Sequence, residues 1–267
     1  MITEQEFDRI VRYVKRKAGI NLAEKHVLVQ GRLENYIQRN GYSSYHEFMD
    51  LVERFPTGKE AKDLMNMLTT NHTYFWREHE QFTYLKQEVF PYLRKKTEST
   101  KDWRIWCAAS SSGEEPYTLA MLCMDFLGLE HPKWDTKVLA TDIDTNVLEQ
   151  AIRGVYTKDS VEQLPHQYVR RFFRQINDIE YRVTDELKKE VLFRQFNLMH
   201  QLPFRKPLHV VFLRNVMIYF DEPTKEKLLH NIYEKMEPGG YLFIGSTESI
   251  SQNKTKFQYI QPAIYRK

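Results

Sequence analysis

The stretch from Trp103 to Asp144 constrains this chain most, because it has the order strand, tight turn, helix, second strand. Trp103-Arg104-Ile105-Trp106-Cys107-Ala108-Ala109 is a short apolar run bounded by charge, as expected of a buried parallel strand. Ser110-Ser111-Ser112-Gly113 breaks it with small, turn-forming residues. Glu114-Glu115-Pro116 then opens a helix, with acids at the positive end of the dipole and proline in the first turn. The helix carries Tyr117, Leu119, Ala120, Leu122, Cys123 and Phe126 and stops near Gly128. A second apolar strand, Lys137-Val138-Leu139-Ala140-Thr141, ends in Asp142. An acid at the carboxyl end of such a strand is how α/β sheets grip a ribose.

The turn has one glycine, so it is not the G-x-G-x-x-G fingerprint of pyrophosphate binding. Gly113 and Asp142 are also 29 positions apart, against roughly 20 between turn and acid in dinucleotide sites. A glycine-poor turn suits a ligand with a nucleoside and no phosphates, such as S-adenosylmethionine. A plain βαβ unit that binds nothing accounts for the same pattern.

With 267 residues the chain can bury a large core and a small second domain. Hydrophobic residues at 42% and charged residues at 28% place it among soluble globular proteins. No apolar run reaches the roughly 20 residues of a membrane span. The acidic, polar start Met1-Ile2-Thr3-Glu4-Gln5-Glu6 is no signal peptide, so a cytoplasmic location is expected. Cys107 and Cys123 read as small buried hydrophobes, with neither a disulfide framework nor a metal site. A net charge of +3 gives no argument for nucleic acid. Basic residues do gather near the start: Arg9, Arg12, Lys15, Arg16 and Lys17, then Lys25, Arg32 and Arg39. They are either a solvated helix face or a docking surface for an acidic partner.

Residues 1–70 read as a separate all-helical domain, for binding or as a lid. Thr3 with Glu6 and Ser44 with Glu47 are capping-box patterns. Phe7, Ile10, Val11 and Val14 lie at helical spacing before Gly19; Val29, Leu33, Tyr36 and Ile37 do so before Gly41. Phe48, Leu51 and Val52 mark a third helix, and Ala61, Leu64, Met65 and Leu68 a fourth after Pro56-Thr57-Gly58. Residues 71–100 are a linker and a leading helix from about Gln81 to Lys96. The linker Asn71-His72-Thr73-Tyr74-Phe75-Trp76-Arg77-Glu78 has neither period, and reads as a buried aromatic hinge or as a lining for the site. Asp144 or Thr145 caps a helix beyond Asp142. From Gly154 an aromatic, basic helix and the alternating segments Glu180–Thr184 and Val191–Asn197 suggest an antiparallel insertion at about 154–196. His209–Leu213 is another buried strand, followed by helix Thr224–Met236, strand Tyr241–Gly245 and a last strand around Ile260–Tyr265.

A helix, then Pro238-Gly239-Gly240, then an apolar strand near the end is a habit of class I methyltransferases. Four motifs go further: Thr69-Thr70-Asn71-His72-Thr73-Tyr74-Phe75-Trp76-Arg77-Glu78, Ala108–Tyr117 with Gly113-Glu114-Glu115-Pro116-Tyr117, Ala140-Thr141-Asp142-Ile143-Asp144, and Arg214-Asn215-Val216-Met217-Ile218-Tyr219-Phe220. In this order they resemble the chemotaxis receptor methyltransferase family, CheR, over nearly the whole chain. The resemblance implies an α/β, Rossmann-like class I methyltransferase domain over 101–267, with an N-terminal all-helical domain and a small inserted antiparallel β-subdomain. It implies S-adenosylmethionine-dependent O-methylation of glutamate side chains on chemoreceptors, with S-adenosylhomocysteine as product. Cofactor contacts carry over to Asn71, Thr73, Arg77, Glu115, Asp142, Asn197, Leu198, Arg214 and Asn215, and Arg77 and Tyr219 fall near the transferred methyl. The family's basic N-terminal helices contact the receptor's acidic methylation helices, which assigns docking to Arg9, Arg12, Arg16 and Arg32. Some members bind a short receptor tail through the inserted subdomain; the abbreviated connection Gln175-Ile176-Asn177-Asp178-Ile179 suggests that this chain does not. A monomer is expected, without membrane insertion. A methyltransferase for another substrate and a cofactor-sensing adaptor without turnover are the alternatives.

Overall fold

A computed structural model describes residues 2–267. Four helices come first: α1 Glu4–Ala18, α2 His26–Arg39, α3 Tyr45–Arg54 and α4 Lys59–Leu68. Thr3 and Glu6 form the expected capping box, and Gly19 closes α1 with φ 73°. Ser44 caps α3, but Glu47 reaches back to the Ser43 N–H at 2.7 Å, so this box is displaced by one residue. Ile10, Val14, Leu33, Phe48, Val52 and Leu64 are fully buried between the helices.

Ten strands follow among the described residues: β1 Ile105–Ala108, β2 Val138–Asp142, β3 Val155–Thr157, β4 Phe173–Gln175, β5 Glu180–Val183, β6 Val191–Gln195, β7 Leu208–Leu213, β8 Met236–Ile244, β9 Gln258–Gln261 and β10 Ile264–Arg266. Seven build one sheet in the order β6-β2-β1-β7-β8-β10-β9, parallel from β6 to β8 and antiparallel through the last two. The period of two sorts its side chains. Trp106, Ala108, Val211 and Leu213 face a core shared with the N-terminal helices, while Ile105, Cys107, Val210 and Phe212 face the core under helix Glu114–Leu127. The N-terminal helices thus share one hydrophobic core with this face of the sheet.

Two strand readings need correction. Val191–Asn197 does not belong to the antiparallel insertion: β6 pairs in parallel with β2 at the edge of the main sheet. Its alternation arises because this edge strand buries Val191 and Phe193 and exposes Leu192 and Arg194. The small antiparallel sheet is instead β3-β5-β4, and β4 follows directly from helix His166–Phe172. The last strand is a hairpin, β9 and β10, because Pro262 cannot donate to a ladder and Ala263 turns the chain at φ 64°. The leading helix runs from His79 to Lys96 and passes through a π-helical turn at Leu85–Val89.

The sheet's connections reverse at β1: the chain moves outward to β2, then returns to β7 on the other side. In open α/β sheets, ligands bind at the carboxyl ends beside such a reversal.

Candidate active site

At that reversal lies a cavity of about 370 Å³, within the size range of small-molecule sites. Its walls come from the carboxyl ends of β1 (Ala109, Ser110, Ser111), β2 (Asp142, Ile143), β6 (Phe196, Asn197, Leu198) and β7 (Arg214, Asn215). The linker adds Asn71, Thr73 and Arg77, helix Glu114–Leu127 adds Glu115, and the turn after β7 adds Tyr219. Every residue assigned above to cofactor or methyl therefore lines one cavity. The N-terminal domain closes the remaining side with Ile20, Asn21, Leu22, Lys25 and Leu28, and the Asn21 N–H donates to the Tyr219 carbonyl at 2.8 Å.

Asp142 is almost wholly buried. Its Oδ2 accepts from the Ser111 N–H at 2.8 Å and its Oδ1 from the Asp144 N–H at 3.0 Å. Burial pushes its pKa up to about 6, against the lowering effect of these backbone donors. The carboxylate keeps acceptor capacity beyond these contacts, which suits a pair of ribose hydroxyls. Asp144 ties the linker down: its Oδ2 accepts from Asn71 Nδ2 at 2.6 Å and Thr69 Oγ1 at 3.0 Å, and its Oδ1 caps helix Thr145–Arg153 at the Asn146 N–H, 2.8 Å. The linker is both hinge and lining. Phe75 is buried edge-on against Tyr156 and Phe173, while Thr73 and Arg77 look into the cavity.

Arg214 is the buried cation of the site, 2% exposed. Nη1 lies 3.1 Å from Glu115 Oε2, out of line for a hydrogen bond, and Nη2 donates to the Arg77 carbonyl at 2.5 Å. Nη2 also lies 3.4 Å from Glu78 Oε2. Among the described residues, Nε and Nη1 of Arg214 and the buried Ser110 Oγ have no hydrogen-bond partner. Orphaned donors of this kind await a ligand acceptor. Arg77 donates Nη1 to the His72 carbonyl at 2.9 Å, packs over the Tyr74 ring, and stays a quarter exposed.

Strain gathers here as well. Of seven non-glycine residues with left-handed φ among the described residues, Trp76, Glu78, Ala109, Ser111 and Asn215 all lie in segments that build the cavity.

Some assigned side chains are already engaged. Asn197 donates Nδ2 to the Lys17 carbonyl at 2.6 Å, and Asn215 donates Nδ2 to Glu78 Oε1 at 3.2 Å. In the docking set, Arg9 is paired with Asp50 at 2.7 Å and Glu53 at 2.8 Å. Arg32 spans the Met67 and Thr69 carbonyls and Thr70 Oγ1. Arg12 and Arg16 point outward with Lys17. Glu78 and Glu248, neither singled out from the sequence, hold the turn that carries Asn215.

The acid on β2, the orphaned donors and the charges of both signs fit S-adenosylmethionine, whose nucleoside carries ribose hydroxyls and whose amino-acid end carries both charges. Fold and site together define a class I, S-adenosylmethionine-dependent methyltransferase. The chain belongs to the CheR methyltransferase family: residues 71–265 match its S-adenosylmethionine-binding domain and residues 5–69 its all-alpha domain. It is 37% identical to a chemotaxis protein methyltransferase of Borreliella burgdorferi, over 100% of this chain and 95% of that one. It is 35% identical to the chemotaxis protein methyltransferase of Escherichia coli, over 99% and 91%. Among solved structures, the glycopeptide N-methyltransferase MtfA complexed with S-adenosylmethionine is similar over 60% of this chain and 53% of that one, with 16% identity and a TM-score of 0.32.

Asp144→Ala removes the helix cap and the 2.6 Å acceptor of Asn71 Nδ2, and leaves Thr69 Oγ1 only the Asn66 carbonyl. Such a loss costs about 2–4 kcal/mol, to be read from urea denaturation; a change below about 1 kcal/mol contradicts the latch.

Proposed function

We propose that this chain, in the cytosol, transfers a methyl group from S-adenosylmethionine to glutamate side chains on the methylation helices of bacterial chemoreceptors, giving methyl esters for sensory adaptation. The observation that carries the reading is a single cavity walled by Asp142, Glu115, Arg77 and Tyr219 together. The family, and relatives that are named chemotaxis protein methyltransferases, support it.

In this reading Asp142 accepts from the ribose hydroxyls, and Ile143, Phe196 and Leu198 offer an apolar surface to the base. Glu115 and Arg214 meet the amino-acid end with charges of opposite sign. Asn71 and Asn197, with their amides already bonded, shape the wall more than they donate. When bound, the cofactor supplies an electrophilic methyl on a sulfonium. A glutamate carboxylate, with a reference pKa near 4.3, is already ionised at about pH 7, so no residue has to remove a proton first. The work left to the chain is alignment, which can supply roughly 7–11 kcal/mol. Arg77, with guanidinium donors beyond the one given to His72, orients the incoming carboxylate through its planar fork. Tyr219, half-buried on the same wall, fixes the reacting oxygen. Arg12 and Arg16 on the outward side of α1 meet the acidic receptor helix, while Arg9 and Arg32 hold the N-terminal domain together.

Two outcomes are expected. Arg77→Ala and Tyr219→Phe each lower methyl transfer to receptor-containing membranes by about a hundredfold, and Tyr219→Phe leaves S-adenosylhomocysteine affinity within about threefold of wild type; unchanged turnover in both sinks the assignment. Asp142 also makes cofactor binding depend on pH. Because burial raises its pKa, the native protein holds this proton more tightly than the unfolded chain does. The group's stabilisation is therefore greatest at low pH and is lost as pH rises through about 6. Ligand affinity runs the other way, since only the carboxylate accepts from both hydroxyls. S-adenosylhomocysteine binding, followed by calorimetry, weakens as pH falls below about 6, and Asp142→Asn flattens the profile. An identical profile in the variant contradicts the ribose role.

A further inference from the structure

Glu248 lies on the turn after β8, behind the cavity wall. Its Oε2 accepts from the Gly245 N–H at 2.7 Å and from the Asn215 N–H at 2.9 Å, and its Oε1 from the Ile218 N–H at 3.1 Å. One side chain thereby satisfies two positions on the turn that ends at Tyr219, and one on the turn after the neighbouring strand. The gripped turn is irregular: Asn215 has φ 56°, and Met217–Tyr219 is a single 3₁₀ turn. Glu78 completes the grip from the other side, accepting from the Ser246 N–H at 3.0 Å and from Asn215 Nδ2 at 3.2 Å. The two turns leave no room between them. A Cβ on Gly245 would stand 2.5 Å from Asn215 Nδ2 and 2.8 Å from Glu248 Oε2.

A mainly buried carboxylate is a costly way to close a turn, and burial does raise the Glu248 pKa against the lowering effect of its backbone partners. Its yield is a fixed backbone where the chain would otherwise choose among conformers. The position so fixed is beside Tyr219, whose own carbonyl accepts from Asn21 of the N-terminal domain.

We propose that Glu248 is a positioning residue for methyl transfer, gripping the Asn215 and Ile218 N–H groups so that Tyr219 is held in its working place on the cavity wall. The inference rests on the role given to Tyr219 above. It separates binding from turnover: Asp142, Glu115 and Arg214 are carried by other contacts and the Asn215 side chain by Glu78, so losing the grip slackens the Tyr219 turn more than it weakens the cofactor site.

Glu248→Gln keeps the shape but sets an amide donor against backbone donors. The expected result is a fall in kcat of about tenfold or more at saturating S-adenosylmethionine, with S-adenosylhomocysteine affinity by calorimetry within about threefold. Amide hydrogen exchange is expected to speed up at Asn215 and Ile218 and to stay unchanged in β1 and β2. Glu248→Asp, which keeps the charge, recovers part of kcat. An unchanged kcat overturns the proposal. Equal losses of kcat and affinity, or faster exchange throughout the sheet, overturn it too, since they mark a general structural role. Exchange and ligand binding need no receptor. If wild type binds the ligand but methylates no chemoreceptor, the functional reading fails, and exchange alone decides this one: unprotected Asn215 and Ile218 amides in Glu248→Gln support the grip, and unaltered protection overturns it.

Discussion

The carboxyl edge of this sheet is held by carboxylates that accept from backbone N–H groups. Where β1, β2, β7 and β8 end, their ladders end as well, and the N–H groups of the following turns need acceptors. Asp142 takes those of Ser111 and Asp144, and Asp144 that of Asn146. Glu78 takes that of Ser246, and Glu248 those of Gly245, Asn215 and Ile218. Each bond is charge-assisted and fixes a segment that no strand could fix. The cost is desolvation, visible in the raised pKa values of Asp142 and Glu248. A catalytic edge needs irregular backbone in defined shapes, and this is how the chain obtains it.

The same arrangement explains why the left-handed residues crowd around the cavity. Ala109 and Ser111 curl the turn after β1 so that the Ser111 N–H meets Asp142, and Asn215 curls the turn after β7 toward Glu248. The N-terminal domain joins this edge directly. Asn197 Nδ2 bonds the Lys17 carbonyl, Lys15 pairs with Asp221 at 2.8 Å, and Ile20 bridges to Phe220. A domain with exposed basic residues on its first helix is thus joined at its inner end to the turn carrying Tyr219.

Much of this was legible in the sequence because it is local. Apolar runs, caps at Thr3 and Asp144, and glycines at helix ends declare themselves within a few residues. So does the acid closing β2, and the four motifs hold seven of the nine assigned cofactor residues, the other two being Asn197 and Leu198, with all nine on one cavity. What stayed hidden depends on distant partners. Glu248 is one acid in a polar stretch until the turn at Asn215 comes beside it. Arg9 and Arg32 look like free surface charge until α3 and α4 return with Asp50, Glu53 and the Met67 and Thr69 carbonyls. The alternation of β6 is the pattern of any half-covered strand, antiparallel or parallel edge, so periodicity alone could not assign it to the main sheet.

The most direct test of the account is the chemistry of the transferred methyl. Chemoreceptor-containing membranes are incubated with the protein and methyl-labelled S-adenosylmethionine, then treated briefly with alkali. Label that is incorporated and then released as volatile methanol is the predicted result, because only a carboxyl methyl ester on the receptor hydrolyses so readily. Alkali-stable label would place the methyl on nitrogen or another atom and contradict the account, and so would intact cofactor binding with no transfer.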